Sequence, residues 1–319
     1  MGLNLPFNPN REGPCGLAPE TEIVGNDNSH LNAVFQKEKL WKNGYTITYQ
    51  FPSGGTDNQK NAVRKTVVEW THYANVQIKE LTGDGVADIR IAFDAGRGSW
   101  STVGNGANKI DTGRPTMNLG WLADSADVSD NDRGTILHEW GHALGMMHEH
   151  QSPARGDKIT LKPNLVYLYY RQTQGWTNTL IKSQILDVYN VEQLSNYSKL
   201  DMKSIMMCVS TPYLYLIPKA SHFLARYFMP GSLNDQNITV KVNNGLSDMD
   251  KAYIMINYPY RLPRKDDPQE LNDWTLEKAF KTAGVPDNKI ATFLKIKDAE
   301  ELRTQFNVWN ITERAKDYS

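Results

Sequence analysis

HEWGHALGMMH, residues 138–148, is the stretch of this chain that decides its fold. His138 and His142 are four residues apart in a predicted helix, so both imidazoles project from one face and can share a metal ion. Glu139 lies beside them without being a ligand, where it can take a proton from a water molecule on the metal. The spacing therefore predicts a metal site on a helix, with an acid–base group next to it.

The residues after this helix supply a third ligand. Gly145 lets the chain turn sharply at the end of the helix, and His148 returns to the metal. Three neutral imidazoles leave one tetrahedral position open, which is typical of a catalytic zinc site. With 7 His and 23 Gly in 319 residues, five such fixed positions recur by chance in roughly one of 10⁵ chains. One Zn²⁺ is favoured over a helix that merely carries surface histidines.

The pattern HExxHxxGxxH resembles the signature of metzincin peptidases. Glu149, which follows the third histidine, makes the chain similar to the astacin family. The likeness covers about residues 38–260 and is most specific at 133–149. Other segments that resemble the family are RGTILHE (133–139), SWSTVG (99–104), TMNLGW (116–121), RGDKITL (155–161) and LSDMDKAYIMINYP (246–259).

The resemblance implies an α/β metzincin fold and a zinc-dependent endopeptidase. A twisted sheet and two long helices would form an upper part, and an irregular lower part would follow His148. A protein or peptide substrate would lie extended and antiparallel to an edge strand near 116–121. Glu139 would accept a proton from the zinc-bound water and return it to the leaving amine. The alternatives are a zinc-binding protein without turnover and a zinc hydrolase of a non-protein amide.

The resemblance also implies a methionine-containing turn, for which LDMKSIMM at 200–207 fits. Met206 would form an apolar floor beneath the zinc without being a ligand. The alternative is a methionine-rich core segment. In astacins, the residue that matches Glu149 contacts the mature N-terminus, which here would require cleavage after an N-terminal leader, residues 1–31. His150 is expected at the surface or behind the ligands, because three ligands are already assigned.

One position departs from the family pattern. Astacins usually carry His-Tyr after this methionine, and the tyrosine is an extra zinc ligand that later stabilises the transition state. Met207 and Cys208 occupy these positions here. The tyrosine role is therefore absent or supplied by Tyr213 or Tyr215, and a further hypothesis places Cys208 near the metal. Loss of one such donor costs 10²–10³-fold in other enzymes, so activity would be reduced without being abolished.

Residues 1–31, the leader, are rich in Asn, Pro, Gly and charge and predict an extended segment. Within it, GPCGLAPE at 13–20 resembles the cysteine switch of matrix metalloproteinases. A Cys15 thiolate could fill the open zinc position and keep the enzyme latent as a zymogen. The alternatives are a free thiol and a Cys15–Cys208 disulfide.

Hydrophobic periodicity and capping residues predict the remaining organisation. The domain prediction is a leader at 1–31, a catalytic domain at 32–262 and a helical extension at 263–319, which is a packing cap or an interaction module. Signals between 150 and 245 are weak and favour irregular structure. The other predicted elements are strands at 45–51, 87–93 and 116–121, a loop at 95–116, and helices at 56–73, 130–145 and 247–257, followed by helix starts at Asp267, Pro286 and Asp298.

The composition excludes several classes of function. Basic and acidic residues number 35 and 36, for a net charge of −1, so nothing indicates a nucleic-acid partner. No apolar run reaches the length of a membrane span. No signal peptide is visible, so secretion is implied by the resemblance alone. The sequence leaves the compartment and the oligomeric state open.

Overall fold

A computed structural model gives the architecture of the chain. The residues that it describes are 16–17, 35–36, 39–158, 161–174, 176–190, 194–207, 243–260 and 274–316. Cys15, Cys208, Tyr213, Tyr215 and the helix start predicted at Asp267 lie outside these residues.

A six-stranded mixed sheet forms the centre of the fold, with the strand order β1-β6-β7-β5-β3-β4. Its strands are β1 (Gly16–Leu17), β3 (Thr46–Gln50), β4 (Gln77–Glu80), β5 (Ile89–Ala92), β6 (Ser99–Ser101) and β7 (Met117–Leu119). β3, β4, β5 and β7 run parallel, whereas β6 is antiparallel to β7. The strands predicted at 45–51 and 87–93 are confirmed. Separately, β2 (Phe35–Gln36) pairs antiparallel with β8 (Leu194–Asn196).

The sheet corrects two predictions about the segment 95–121. The predicted loop at 95–116 contains β6, and the strand predicted as an edge, β7, lies between β5 and β6. Ser99-Trp100-Ser101 is too short to show alternation among neighbouring Gly and Ser residues. It becomes a strand because the longer-range partner β7 satisfies its main-chain groups. Among the described strands, the edges of the sheet are β1 and β4, so residues 116–121 do not form an edge strand.

Two long helices cover the sheet. α1 (Asp57–Tyr73) begins with a capping box between Thr56 and Gln59 and buries an apolar face that includes Val63, Val67 and Trp70. α2 (Asp130–Ala143) is capped by the Ser129 hydroxyl, which accepts a hydrogen bond from the Asp132 N–H. The Trp70 Nε1–H donates to the Leu137 carbonyl at 3.1 Å, which joins the two helices. The helices predicted at 56–73 and 130–145 are both confirmed.

The prediction of irregular structure between 150 and 245 is partly wrong. α3 (Pro163–Gln174) and α4 (Asn178–Ile181) lie in this region, and a short π-helical turn, Lys182–Leu186, follows α4. The weak helical pattern has a physical reason, because these elements bury only a few residues in a small second core. That core comprises Leu161, Val166, Tyr170, Ile181, Ile185 and Met207.

Four further helices complete the described chain: α5 (Asp248–Asn257), α6 (Leu276–Thr282), α7 (Asp287–Phe293) and α8 (Ala299–Lys316). Phe280 of α6 and Phe306 of α8 belong to the main core rather than to a separate one. The Asn310 Oδ1 atom accepts a hydrogen bond from the Tyr197 N–H at 2.9 Å. Between the two alternatives, a packing cap and an interaction module, these contacts favour the packing cap. In the described part of the chain, no helix is long and apolar enough to cross a bilayer.

Candidate metal centre

The three predicted ligands converge in the protein interior, on the buried side of α2. His138 and His142 lie on the buried face of α2, and His148 lies on the chain that follows its C-terminal turn. One ring nitrogen from each residue lies within 4.8 Å of the others. The Nε2 atoms of His142 and His148 are 3.2 Å apart, and the His138 Nε2 atom has no hydrogen-bond partner among the described residues. Three nitrogen donors at this spacing fit a tetrahedral zinc ion.

The opposite nitrogen of each ring faces an oxygen atom. The Nδ1 atoms of His138, His142 and His148 lie 2.7, 2.8 and 3.2 Å from Ile205 O, Met146 O and Gln151 Oε1. An oxygen acceptor at Nδ1 fixes the proton there and leaves the Nε2 lone pair for the shared centre. All three rings therefore point the same type of nitrogen at one position.

Burial keeps the three imidazoles neutral. It lowers the pKa of His138 to about 4 and holds the pKa values of His142 and His148 well below the ordinary value. Mutual repulsion between the rings lowers the pKa values of His142 and His148 further. Neutral imidazole is the form that binds a metal, so the cluster is ready for a cation without first losing protons.

Glu139 lies on α2 next to the first ligand and is 1% exposed. Neither carboxyl oxygen has a hydrogen-bond partner among the described residues. Burial raises the pKa of this carboxyl well above its ordinary value. A buried carboxyl without partners is costly to a fold, and such groups commonly serve chemistry. A nearby cation would favour the carboxylate form.

Met206 packs against α2, at the place where the sequence predicts an apolar floor for the metal site. A Cβ atom added at Gly141 would lie 2.5 Å from the Met206 sulfur, so glycine at this position allows the close approach. The main chain beside Met206 is held by Asp250, which accepts hydrogen bonds from the Ser204 hydroxyl at 2.7 Å and the Ile205 N–H at 2.8 Å. The turn thereby places the Ile205 carbonyl against His138.

Gly145 follows the C-terminal end of α2 and has a φ of 97°. Side chains other than glycine rarely adopt this conformation. Its N–H donates to the His142 carbonyl at 2.8 Å, and the next residue, Met146, donates to the Gly141 carbonyl at 2.9 Å. The turn therefore brings the Met146 carbonyl oxygen next to the Nδ1 atom of His142.

Glu149 directly follows His148 in the chain and is buried. Its Oε1 atom accepts hydrogen bonds from the Asp201 N–H at 2.8 Å and the Ser198 hydroxyl at 3.2 Å. Burial raises the pKa of Glu149 to about 8, and the nearby carboxylates of Asp201 and Asp250 act in the same direction. This carboxyl group is held by neutral donors, with no cationic partner among its described contacts.

His150 is completely buried, so the expectation that it lies at the surface is wrong and the expectation that it lies behind the ligands fits. Its ring stacks on His148 with centroids 5.1 Å apart, and its Nε2 atom lies 3.1 Å from the Gln184 carbonyl. The motif carries no signal for this burial, because the covering residues come from the π-helical turn.

Sequence analysis missed three residues that position the site: Gln151, Tyr189 and Asp250. Gln151 contacts His148, Tyr189 contacts Gln151, and Asp250 holds the main chain of Ile205. Only Asp250 had a local signal, because it stands at the third position of a helix capped by Ser247.

Comparison with known proteins agrees with this geometry. The family model described as Astacin, a family of peptidases, matches residues 33–211. Zinc metalloproteinase nas-14 of Caenorhabditis elegans is 28% identical over 186 residues, which cover 58% of this chain and 34% of that relative. Meprin A subunit beta of Rattus norvegicus is 23% identical over 54% of this chain and 22% of its own length. The chain thus spans about a third or less of these two curated relatives.

A solved structure of myroilysin has the same fold. It is 31% identical to this chain, with a TM-score of 0.61, and the match covers 72% of this chain and 100% of that one.

Proposed function

This chain belongs to the astacin family of peptidases, and we propose that it is an endopeptidase that hydrolyses peptide bonds in protein or peptide substrates. The observation that carries the proposal is the buried carboxyl group of Glu139, without partners among the described residues, next to three convergent imidazoles. A zinc site with a purely structural role has no need of such a group.

His138, His142 and His148 would hold one Zn²⁺. The three Nε2 atoms face one position and their Nδ1 atoms face oxygen acceptors. Zinc, when bound, supplies Lewis-acid polarisation of the scissile carbonyl and acidifies water. The remaining chemistry belongs to the protein.

Glu139 is the general base and then the general acid of the proposed reaction. Its carboxylate accepts a proton from the attacking water and delivers that proton to the nitrogen of the leaving amine. The group lies in a buried site, where electrostatic interactions are stronger than in water.

The leader contributes a proposed inhibitory element. Gly16 and Leu17 pair in parallel with Trp100 and Ser101 of β6, and thereby occupy the outer edge of the sheet. An extended substrate that adds a strand to this edge would need the same main-chain groups. Leader and substrate therefore compete, and Cys15, which directly precedes Gly16, is the proposed thiolate ligand of the latent form.

The first experiment measures zinc content and casein hydrolysis for the wild type and for Glu139→Gln. Glutamine keeps the shape of the side chain but cannot accept the proton, so we expect one zinc per chain and a roughly 10²–10⁴-fold loss of kcat/KM. Glu277→Gln, an exposed carboxyl on α6, serves as the matched control and should leave both unchanged. A wild type that binds zinc but cleaves neither casein nor shorter peptides would contradict the proposal.

The same assay on a chain that lacks residues 1–31 tests the leader. Higher activity is expected after removal, because the main-chain groups of β6 that pair with Gly16 and Leu17 are then available to substrate. Cys15→Ala in the full-length chain separates thiol ligation from strand pairing. Unchanged basal activity of that variant would rule out the cysteine switch and leave the free thiol and the Cys15–Cys208 disulfide.

A further inference from the structure

The three imidazoles differ in what holds their Nδ1 atoms. For His138 and His142 the acceptor is a main-chain carbonyl, which no substitution removes. For His148 the acceptor is the side-chain Oε1 of Gln151, at 3.2 Å. His148 is thus the only one of the three whose Nδ1 acceptor is itself a replaceable side chain.

The amide of Gln151 has only one workable orientation. Its Nε2 atom lies 2.7 Å from the Ser183 carbonyl and 3.1 Å from the Asp187 carbonyl, and both carbonyls can only accept. The amide nitrogen must therefore point there, which turns Oε1 toward His148. The Tyr189 hydroxyl donates to the same oxygen, and the Tyr189 N–H donates to the Gln151 carbonyl at 3.0 Å.

Burial makes this network selective for one state of the histidine. Gln151 is 0% exposed and Tyr189 is 3% exposed, so water does not replace a missing partner. An acceptor at Nδ1 requires a proton on that nitrogen, which leaves the Nε2 lone pair free. His148 stands outside α2, just before a 3₁₀ turn, Glu149–Gln151, where no helix fixes its ring.

We propose that Gln151 is a positioning residue for the third metal ligand: its fixed amide oxygen holds His148 as the Nδ1–H tautomer and directs Nε2 at the metal position. The inference rests on the proposed zinc site. Partners of this kind typically contribute 10–100-fold to metal affinity.

The test compares Gln151→Met with Gln59→Met by competition with a chelator for zinc, after circular dichroism has shown that both variants are folded. Methionine nearly preserves the volume of glutamine but offers no acceptor of comparable strength. The Gln59 amide likewise donates to a main-chain carbonyl, that of Leu122, at 2.7 Å, but it lies at the start of α1. We expect the zinc dissociation constant to rise about 10–100-fold in Gln151→Met and to stay unchanged in Gln59→Met.

The outcomes separate this inference from the proposed function. Equal zinc affinity in the wild type and Gln151→Met overturns the inference, and so does an equal loss in both variants. A wild type that binds no zinc overturns the proposed function instead.

If Gln151→Met does not fold, ¹⁵N-histidine spectra of the zinc-loaded wild type decide. An Nδ1–H proton of His148 that is protected from exchange supports the inference, and an Nδ1 without a proton overturns it.

Discussion

Two of the three candidate ligands lie on α2, whereas the third lies on the chain beyond it. His138 and His142 face the metal position because a helix places residues four apart on one side. His148 faces it because a turn at Gly145 reverses the chain and the Gln151 amide orients the ring. The first pair is positioned by local geometry. The third is oriented by Gln151, whose own amide is held by residues that are distant in sequence.

The same contrast extends to what surrounds the ligands. The hydrogen bond of His142 goes to Met146, four residues away, whereas that of His138 goes to Ile205, 67 residues away. Even a ligand on the helix therefore depends on the turn that contains Met206. A helix with the right spacing supplies two imidazoles. The described chain that follows His148, called the lower region here, packs against them and orients the rings.

The largest expected effect comes from loss of Asp250, because this residue anchors the lower region. Its carboxylate accepts hydrogen bonds from the Ser204 hydroxyl and from the main-chain N–H groups of Ile205 and Ser247. Asp250→Ala leaves these buried donors unpaired, which should lower the free energy of unfolding by about 3 kcal/mol or more. Zinc affinity should fall as well, since Ile205 no longer holds His138. Urea unfolding and chelator competition measure the two effects.

Asp248→Ala is the control for this prediction, because Asp248 begins the same helix and its side chain is 76% exposed. A change within about 0.5 kcal/mol is expected there. If both variants lost the same stability, the buried hydrogen bonds of Asp250 would not be the cause, and the lower region would not depend on this anchor.

The sequence predicts the part of the site that lies on α2. It does not predict the residues that orient His148. Glu139, His138 and His142 follow from the period of a helix, and Gly145 marks its end. Gln151 contacts residues 32 and 36 positions away, and Tyr189 contacts it from 38 positions away. No local pattern encodes such pairings, because each one depends on how two separate segments pack.

The sheet shows the same limit. Thr46–Gln50 and Ile89–Ala92 were predictable because alternating and apolar runs are local signals. The strand Ser99–Ser101 and the interior place of Met117–Leu119 depend on which strand pairs with which. The family resemblance gave the overall fold, and pairing decided which strand lies at the edge.

The second prediction concerns the turn that connects the two regions. Gly145→Ala forces an alanine into a φ of 97°, which should cost about 2 kcal/mol of unfolding free energy. The strain falls where Met146 holds His142, so zinc affinity should drop too. Gly83→Ala is the matched control, because Gly83 has a φ of 92° and an added Cβ there would meet nothing within 4 Å. Thermal unfolding should show a loss of stability in both variants, and chelator competition should show a lower zinc affinity in Gly145→Ala alone.

The smallest effect is expected from Glu149, whose carboxyl group accepts hydrogen bonds from Ser198 and Asp201. Burial raises its pKa from 4.5 to about 8, so between these pH values the folded chain keeps a proton that the unfolded chain has released. The free energy of unfolding should therefore fall as pH rises through this range. Between pH 6.5 and pH 8 the contribution of this group is about 1–2 kcal/mol. The difference in denaturant unfolding between the metal-free wild type and Glu149→Gln measures it, because burial also raises the pKa of Glu139 and that group is common to both proteins.

Glu149→Gln should flatten this slope, because the amide oxygen still accepts from Ser198 and Asp201 but no longer titrates. The range from pH 6.5 to pH 8 lies above the pKa values of two other buried groups, Asp250 and His138. Burial raises the pKa of Asp250 to about 6, and the neutral His138, with a pKa of about 4, adds stability as pH rises toward 6.5. An unchanged slope in Glu149→Gln would mean that this carboxyl is already ionised in the folded chain. The lower region would then hold a buried charge that needs a cation, and the search for one would begin at Glu149.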